Sequence, residues 1–143
     1  MATLYADKHP STGAVARARV GTNTIVSTFT LTAALVLNDV IKFCKIPKGA
    51  CIVDLTLYSA DVDTGGAPAI TYNLGDTASA ARFLSASTIG RTGGFVELSG
   101  MVAGVLGYTY TVDDTLQIVV AAGPQTGATS GTIVLAATYE LVN

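Results

Sequence analysis

Residues 39–57, DVIKFCKIPKGACIVDLTL, decide the fold. Their centre is turn chemistry. Pro47 fixes φ and Gly49 tolerates positive φ, so the pair can reverse the chain. After the turn, Cys51, Val53, Leu55 and Leu57 alternate with Ile52, Asp54 and Thr56, the period of a half-buried strand. The expectation is two β-strands folded back on each other, with Cys44 and Cys51 as cross-strand neighbours. Before the turn the phase is ambiguous, because Lys42 and Lys45 fall on opposite faces of a regular strand.

The same style extends in both directions. Ala14, Ala16, Ala18 and Val20 share one face of a strand, with Val15, Arg17 and Arg19 on the other. Gly21-Thr22-Asn23 is a turn. Ile25, Ser27, Phe29 and Leu31 then share a face. Residues 32–38 fit either a helical turn or a strand extension. Further strands are expected at residues 69–74, 95–98, 108–112 and 115–122. The last long strand spans 131–142, with Ile133, Leu135, Ala137, Tyr139 and Leu141 on one face. Residues 77–88 (TASAARFLSAST) are the one helix candidate, with Thr77 as cap and Ala78, Ala81, Phe83 and Leu84 as the apolar face. Short strands separated by turn signals predict an all-β fold, a β-sandwich or jelly-roll-like domain with one short helix at about 77–88. Strand order is open. Residues 1–13 lack periodicity and read as an extended N-terminal arm. Residues 14–143 read as a single β-sandwich domain.

Half of the 143 residues are hydrophobic and only 13% are charged. A typical soluble domain carries about 25% charged residues. The deficit fits a chain that meets other chains over much of its surface, because obligate interfaces resemble a core cut in half. A membrane partner is not expected. The uncharged stretches 22–38 and 115–139 are broken by Thr, Gly and Pro, Trp is absent, and the first residues lack a basic-then-apolar leader. The chain is therefore expected to be made and kept in the cytosol unless something else carries it out. The net charge of −2 and the scattered lysines Lys42, Lys45 and Lys48 give no basic stripe, so no nucleic-acid partner is expected.

Reactive chemistry is sparse. Asp63-Thr64-Gly65 spells the D-T-G of aspartic proteases, and Ile89-Gly90-Arg91 echoes a second patch of the retroviral members. Such an enzyme would pair two Asp63 carboxylates across a dimer axis. However, Asp61 interrupts the apolar run that should lead into the Asp, and Asp-Thr-Gly-Gly is ordinary turn composition. Asp61, Asp63 and Asp76, or Asp113 and Asp114, offer oxygen ligands without calcium-loop spacing, and turn capping accounts for them better. Cys44 and Cys51 have only a distant His9 to complete a metal site, so two packed thiols are favoured over zinc or a disulfide. His9 with Ser11 lacks a rigid setting for nucleophilic chemistry. The segments GRTGGF and GMVAGVLG lack the Lys-Ser/Thr of a P-loop. Tyr58, Tyr72, Tyr108, Tyr110 and Tyr139 could line a glycan-binding surface or pack across strands. Neither an enzyme nor a cofactor or metal is expected.

Four segments taken in order carry a resemblance: DVIKFCKIPKGACIVDL at 39–55, ITYNLGD at 70–76, ARFLSAS at 81–87 and GTIVLAATY at 131–139. Together the series resembles the decoration, or cement, proteins of tailed-bacteriophage heads. The resemblance implies a β-sandwich or jelly roll on the outer capsid surface of the virion, made in the host bacterial cytoplasm. It also implies a homotrimer that clamps neighbouring major capsid protein subunits and has no enzymatic activity. Under it, the arm would present Lys8, His9, Arg17 and Arg19 to acidic capsid surface. Alternative roles are another virion component (head fibre base, tail or spike subunit) or a glycan-binding β-sandwich module.

Overall fold

The computed structural model describes residues 1–7, 21–97, 101 and 107–141. The expected strand at 14–20 and the side chains of Lys8, His9, Arg17 and Arg19 lie outside the described residues. Among the described residues nine strands follow one another: β1 (Thr3–Tyr5), β2 (Gly21–Thr30), β3 (Val40–Ile46), β4 (Ala50–Ser59), β5 (Thr71–Gly75), β6 (Leu84–Ser87), β7 (Gly94–Glu97), β8 (Asp114–Ala122) and β9 (Thr132–Leu141). A 3-10 turn at Ile89–Arg91 is the helical element among them.

Two sheets pack face to face. One has the order β1-β3-β8-β5-β6 and the other β2-β9-β4-β7. The antiparallel pairs β2:β9, β3:β8, β4:β7 and β5:β6 are nested one inside the next. This is a long hairpin rolled up, the jelly-roll solution to packing two antiparallel sheets. It settles the strand order that the sequence leaves open. The fold is all-β, as expected.

The nesting corrects the reading of residues 39–57. Both strands exist and the turn is real, with Gly49 at φ +89° and Ala50 N–H donating to Pro47 O at 3.2 Å. Yet β3 and β4 do not pair, because the turn carries the chain from one sheet to the other. Local alternation reports that a strand forms; it carries no information about which strand lies beside it.

Two bulges resolve the phases. In β3 the register shifts between Lys42 and Cys44, so Phe43 is an extra residue. Ile41, Phe43, Cys44 and Ile46 all bury, while Lys42 and Lys45 share the accessible face. In β4 the register shifts between Ile52 and Asp54. Ile52 points inward with Leu55 and Leu57, and Val53 and Asp54 are both exposed. The regular alternation expected from Cys51 through Leu57 therefore breaks at Val53. Strand β9 needs no bulge: Ile133, Leu135, Ala137 and Tyr139 are buried as expected, with Leu141 half-buried.

Residues 77–88 are not a helix. The Asp76 carboxylate accepts from Ala78 N–H at 3.1 Å and Ser79 N–H at 2.7 Å, and Asp76 N–H donates to Ser79 O at 3.0 Å. These bonds offer the backbone a turn in place of a helix. Thr77, the expected cap, instead donates its hydroxyl to Asp114. Gly75 is required here, since a Cβ would lie 2.0 Å from Ser79 O. The chain then enters β6, and Phe83 is fully buried.

Residues 1–7, expected in the arm, run along the body. β1 pairs parallel to β3, Ala6 is buried, and Asp7 N–H donates to Thr28 O at 3.0 Å. Residues 32–38 are neither helix nor strand. Asp39 closes them by accepting from Ala2 N–H at 2.7 Å and Val36 N–H at 2.9 Å. The strand expected at 108–112 is a single bridge from Thr109 to Cys51.

Candidate interaction surface

The residues with the best claim to chemistry are committed to structure. Asp63 is buried, and its two oxygens accept from the N–H groups of Ala69 (2.6 Å), Ile70 (3.0 Å), Gln125 (3.0 Å) and Thr126 (2.9 Å). Burial alone would raise its carboxyl. The N–H groups of Thr126, Gln125, Ala69 and Ile70 outweigh that effect and hold it well below the usual carboxylate range. An aspartic-protease carboxylate must share a proton with a partner. Asp63 instead ties the 63–70 loop to the 125–126 loop.

Asp76 has the same role at a different corner. It is fully buried, accepts from Arg82 through Nε and from Nη2 at 3.3 Å, and accepts from the Tyr110 hydroxyl at 3.0 Å. Arg82 lies over the Tyr108 ring, 4.1 Å from its centroid, and Tyr108 meets Tyr110 edge-on at 5.0 Å. Burial and then the Asp76 charge push the Tyr110 phenol far above its ordinary value. The hydrogen bond to Asp76 raises the Arg82 guanidinium. Asp113 accepts from Lys48 N–H at 2.8 Å and Asp114 from Thr77 N–H at 3.0 Å. Asp61 accepts from Asp63 N–H at 3.1 Å. The aspartates singled out as alternative cation ligands are thus loop fasteners, as turn capping requires.

Cys44 and Cys51 are free and belong to opposite sheets. Burial pushes the Cys44 thiol up to about 12, which leaves it as a packed apolar group. Cys51 Sγ donates to Gly107 O at 3.3 Å. The tyrosines do not assemble into a glycan platform. Tyr72, Tyr110 and Tyr139 are buried, and Tyr58 is the exposed member of the set. Near the N-terminus lies a cavity of about 250 Å³ lined by Leu4, Phe29, Leu35 and Val36. Asp39 on its wall is already held by Ala2 and Val36.

What remains is a surface, the outer face of β2-β9-β4-β7. Cross-strand register places Phe95, Tyr58, Val134 and Thr28 in one row. The next row is Glu97, Thr56, Ala136 and Val26, and the next is Asp54, Thr138 and Thr24. Phe95 is 66% exposed, Val26 52% and Tyr58 42%. Thr24 and Thr138 hydroxyls meet at 3.0 Å. These four strands carry Asp54, Glu97 and Glu140 and no Lys or Arg. The other sheet carries Lys42 and Lys45. Arg91 is spent internally, donating to Ile70 O at 3.0 Å and Ala69 O at 3.2 Å.

Sequence reading did not find this surface, although the signal existed. Placing Ile25, Ser27 and Phe29 inward necessarily turns Val26 outward. The row itself, however, depends on strand neighbours that are distant in sequence, and on the bulge at Val53.

The fold has close counterparts. A chain in the capsid of Ralstonia phage GP4 has the same structure with a TM-score of 0.78 at 26% identity, over 99% of both chains. A chain in the capsid asymmetric unit of cyanophage Pam1 matches with a TM-score of 0.67 at 31% identity, over 94% of this chain and 99% of that one. No family model matches the chain, and no curated protein does.

Proposed function

Because the chain belongs to the structural proteins of bacteriophage capsids, we propose that it is a decoration protein, binding the outside of an assembled head and clamping neighbouring major capsid subunits. The observation that carries this reading is the end-to-end correspondence with the GP4 capsid chain, 99% of each chain covered. The ordered segments from Asp39 to Tyr139 and the low charge of the exterior support it. The mechanism is mass action. A protein that binds the assembled shell and not its free subunits stabilises the shell by about 2.7 kcal/mol per site at a free concentration 100 times Kd. A homotrimer adds avidity, since its second and third contacts form at high effective concentration.

The test adds purified protein to heads assembled without it. Co-sedimentation with the shells and a higher temperature of head disruption are expected. Binding to free capsid subunits instead, or a requirement for this chain in building any shell, would replace decoration with a lattice-forming role.

The basic residues Lys8, His9, Arg17 and Arg19 form the proposed contact with acidic capsid surface. Deleting residues 1–13 would also remove β1, so substitution is the cleaner test. Changing all four to Ala is expected to weaken shell binding and flatten its salt dependence. Unchanged binding would remove them from the contact.

A further inference from the structure

Among the described residues one buried side-chain polar atom has no hydrogen-bond partner: Gln117 Oε1, in the middle of β8. Gln117 is 8% exposed. Its chain neighbours Leu116 and Ile118 fill the core, so alternation turns Gln117 to the outer face of β1-β3-β8-β5-β6. The register sets it in a row between Lys42 on β3 and Gly75 on β5, with Tyr5 on β1 beyond Lys42. The backbone of Ser79 and Ala80 lies over Gly75 and walls the row on that side. On the other side Lys42 is half-buried and Tyr5 is 47% exposed, so the row opens towards the edge strand β1. An amide oxygen buried without a donor gives up its water and gains no bond in return. Sequences tolerate such a conflict where the group has a use outside its own chain.

The neighbouring lysine has the opposite deficit. Among the described residues no side-chain hydrogen bond or ion pair engages Lys42. The acids at the start of β8 are occupied: Asp114 by Thr77 and the Thr115 N–H, Asp113 by the Lys48 N–H. The row therefore lacks a donor at Gln117 and an acceptor at Lys42. Directly opposed residues on paired strands lie about 5 Å apart, close enough for one small group to meet both. We infer that Gln117 and Lys42 together hold a neutral amide of a capsid subunit, its N–H donating to Gln117 Oε1 and its C=O accepting from Lys42. The class of occupant follows by elimination. A Lys or Arg would be repelled by Lys42. A carboxylate would pair with Lys42 but bring no donor to Gln117. A peptide unit, or the side-chain amide of Asn or Gln, supplies both. The inference rests on the decoration reading and assigns one contact to it.

Gln117→Met tests it, because Met keeps the length of the side chain and removes the amide. Thermal melts of the isolated protein are read beside co-sedimentation with heads assembled without it. The variant should melt at or above the wild-type temperature, since no internal hydrogen bond is lost, and should bind heads about tenfold more weakly. Lys42→Met should weaken head binding to a similar degree and reduce its salt dependence. A Gln117→Met protein that melts below wild type would show the amide to be satisfied within the molecule, as by a resident water, and would overturn the site. Wild-type head binding by Gln117→Met would also overturn it and leave the decoration reading standing. Loss of self-association by light scattering, with head binding intact, would put a second copy of the chain in place of the capsid subunit and overturn the assignment. A wild type that leaves heads unbound would overturn decoration itself, and this contact with it.

Discussion

At the scale of single residues, a carboxylate that accepts four backbone N–H groups behaves as a fastener. Asp63 joins loops 62 residues apart in sequence. Its carboxyl is held below the unfolded value of about 3.9, so the folded state binds its proton more weakly. The resulting stability is complete above that pKa and drains away as pH falls through it towards the lower folded value. Thermal melts between pH 6 and pH 2 should show this loss in wild type. Asp63→Asn should be less stable at pH 6 and show a shallower acid slope, because its amide cannot lose charge. Asp76, Arg82 and Tyr110 act as one unit. Removing the Arg82 side chain leaves a fully buried carboxylate underpaired and should cost about 3 kcal/mol. Tyr110→Phe removes a hydrogen bond to a charge and should cost about 2 kcal/mol. Denaturant titration of both variants and the double variant should give a non-additive sum, since the two donors share one acceptor.

At the scale of elements, bulges decide what a strand does with its alternation. Without Val53, Asp54 takes the outward position between Ile52 and Leu55, and the β4 faces are kept. Deleting Val53 should therefore give a folded protein with a modestly lower melting temperature. Deleting Thr56 throws Leu57 and Ser59 out of phase with their buried positions and should abolish the cooperative melt. The same logic explains what was legible in the sequence. Strand β9 could be read outright because its alternation is unbroken and one face is wholly buried. The inward face of β2 was legible from its unbroken alternation, although Ile25 and Phe29 on it are only half-buried. The helix expected at 77–88 failed because Asp76 offers its backbone a nearer acceptor, and local propensity does not see a side chain outside its window. The β3–β4 hairpin failed because Pro47 and Gly49 specify a turn but not its destination. The candidate face was largely hidden, since Phe95 and Tyr58 become neighbours, and Val26 joins their face, only through pairings with distant strands.

At the scale of the whole molecule, the nested order makes β9 the closing piece. It lies between β2 and β4 and pairs with both along its length, Gly21 matching Leu141. Truncation before Thr132 should leave the second sheet divided and abolish cooperative melting, measured by circular dichroism against the full chain. Folds dominated by such distant pairings are expected to refold in milliseconds to seconds. The outermost pair also sets an order of events during synthesis. At about 5–20 residues per second, β2 leaves the ribosome several seconds before β9 exists. Through that interval an uncharged ten-residue edge waits for a mate. On a crowded polysome the first β9 to reach it can belong to the neighbouring nascent chain, so the strand that completes one subunit is also the one most easily lent to another.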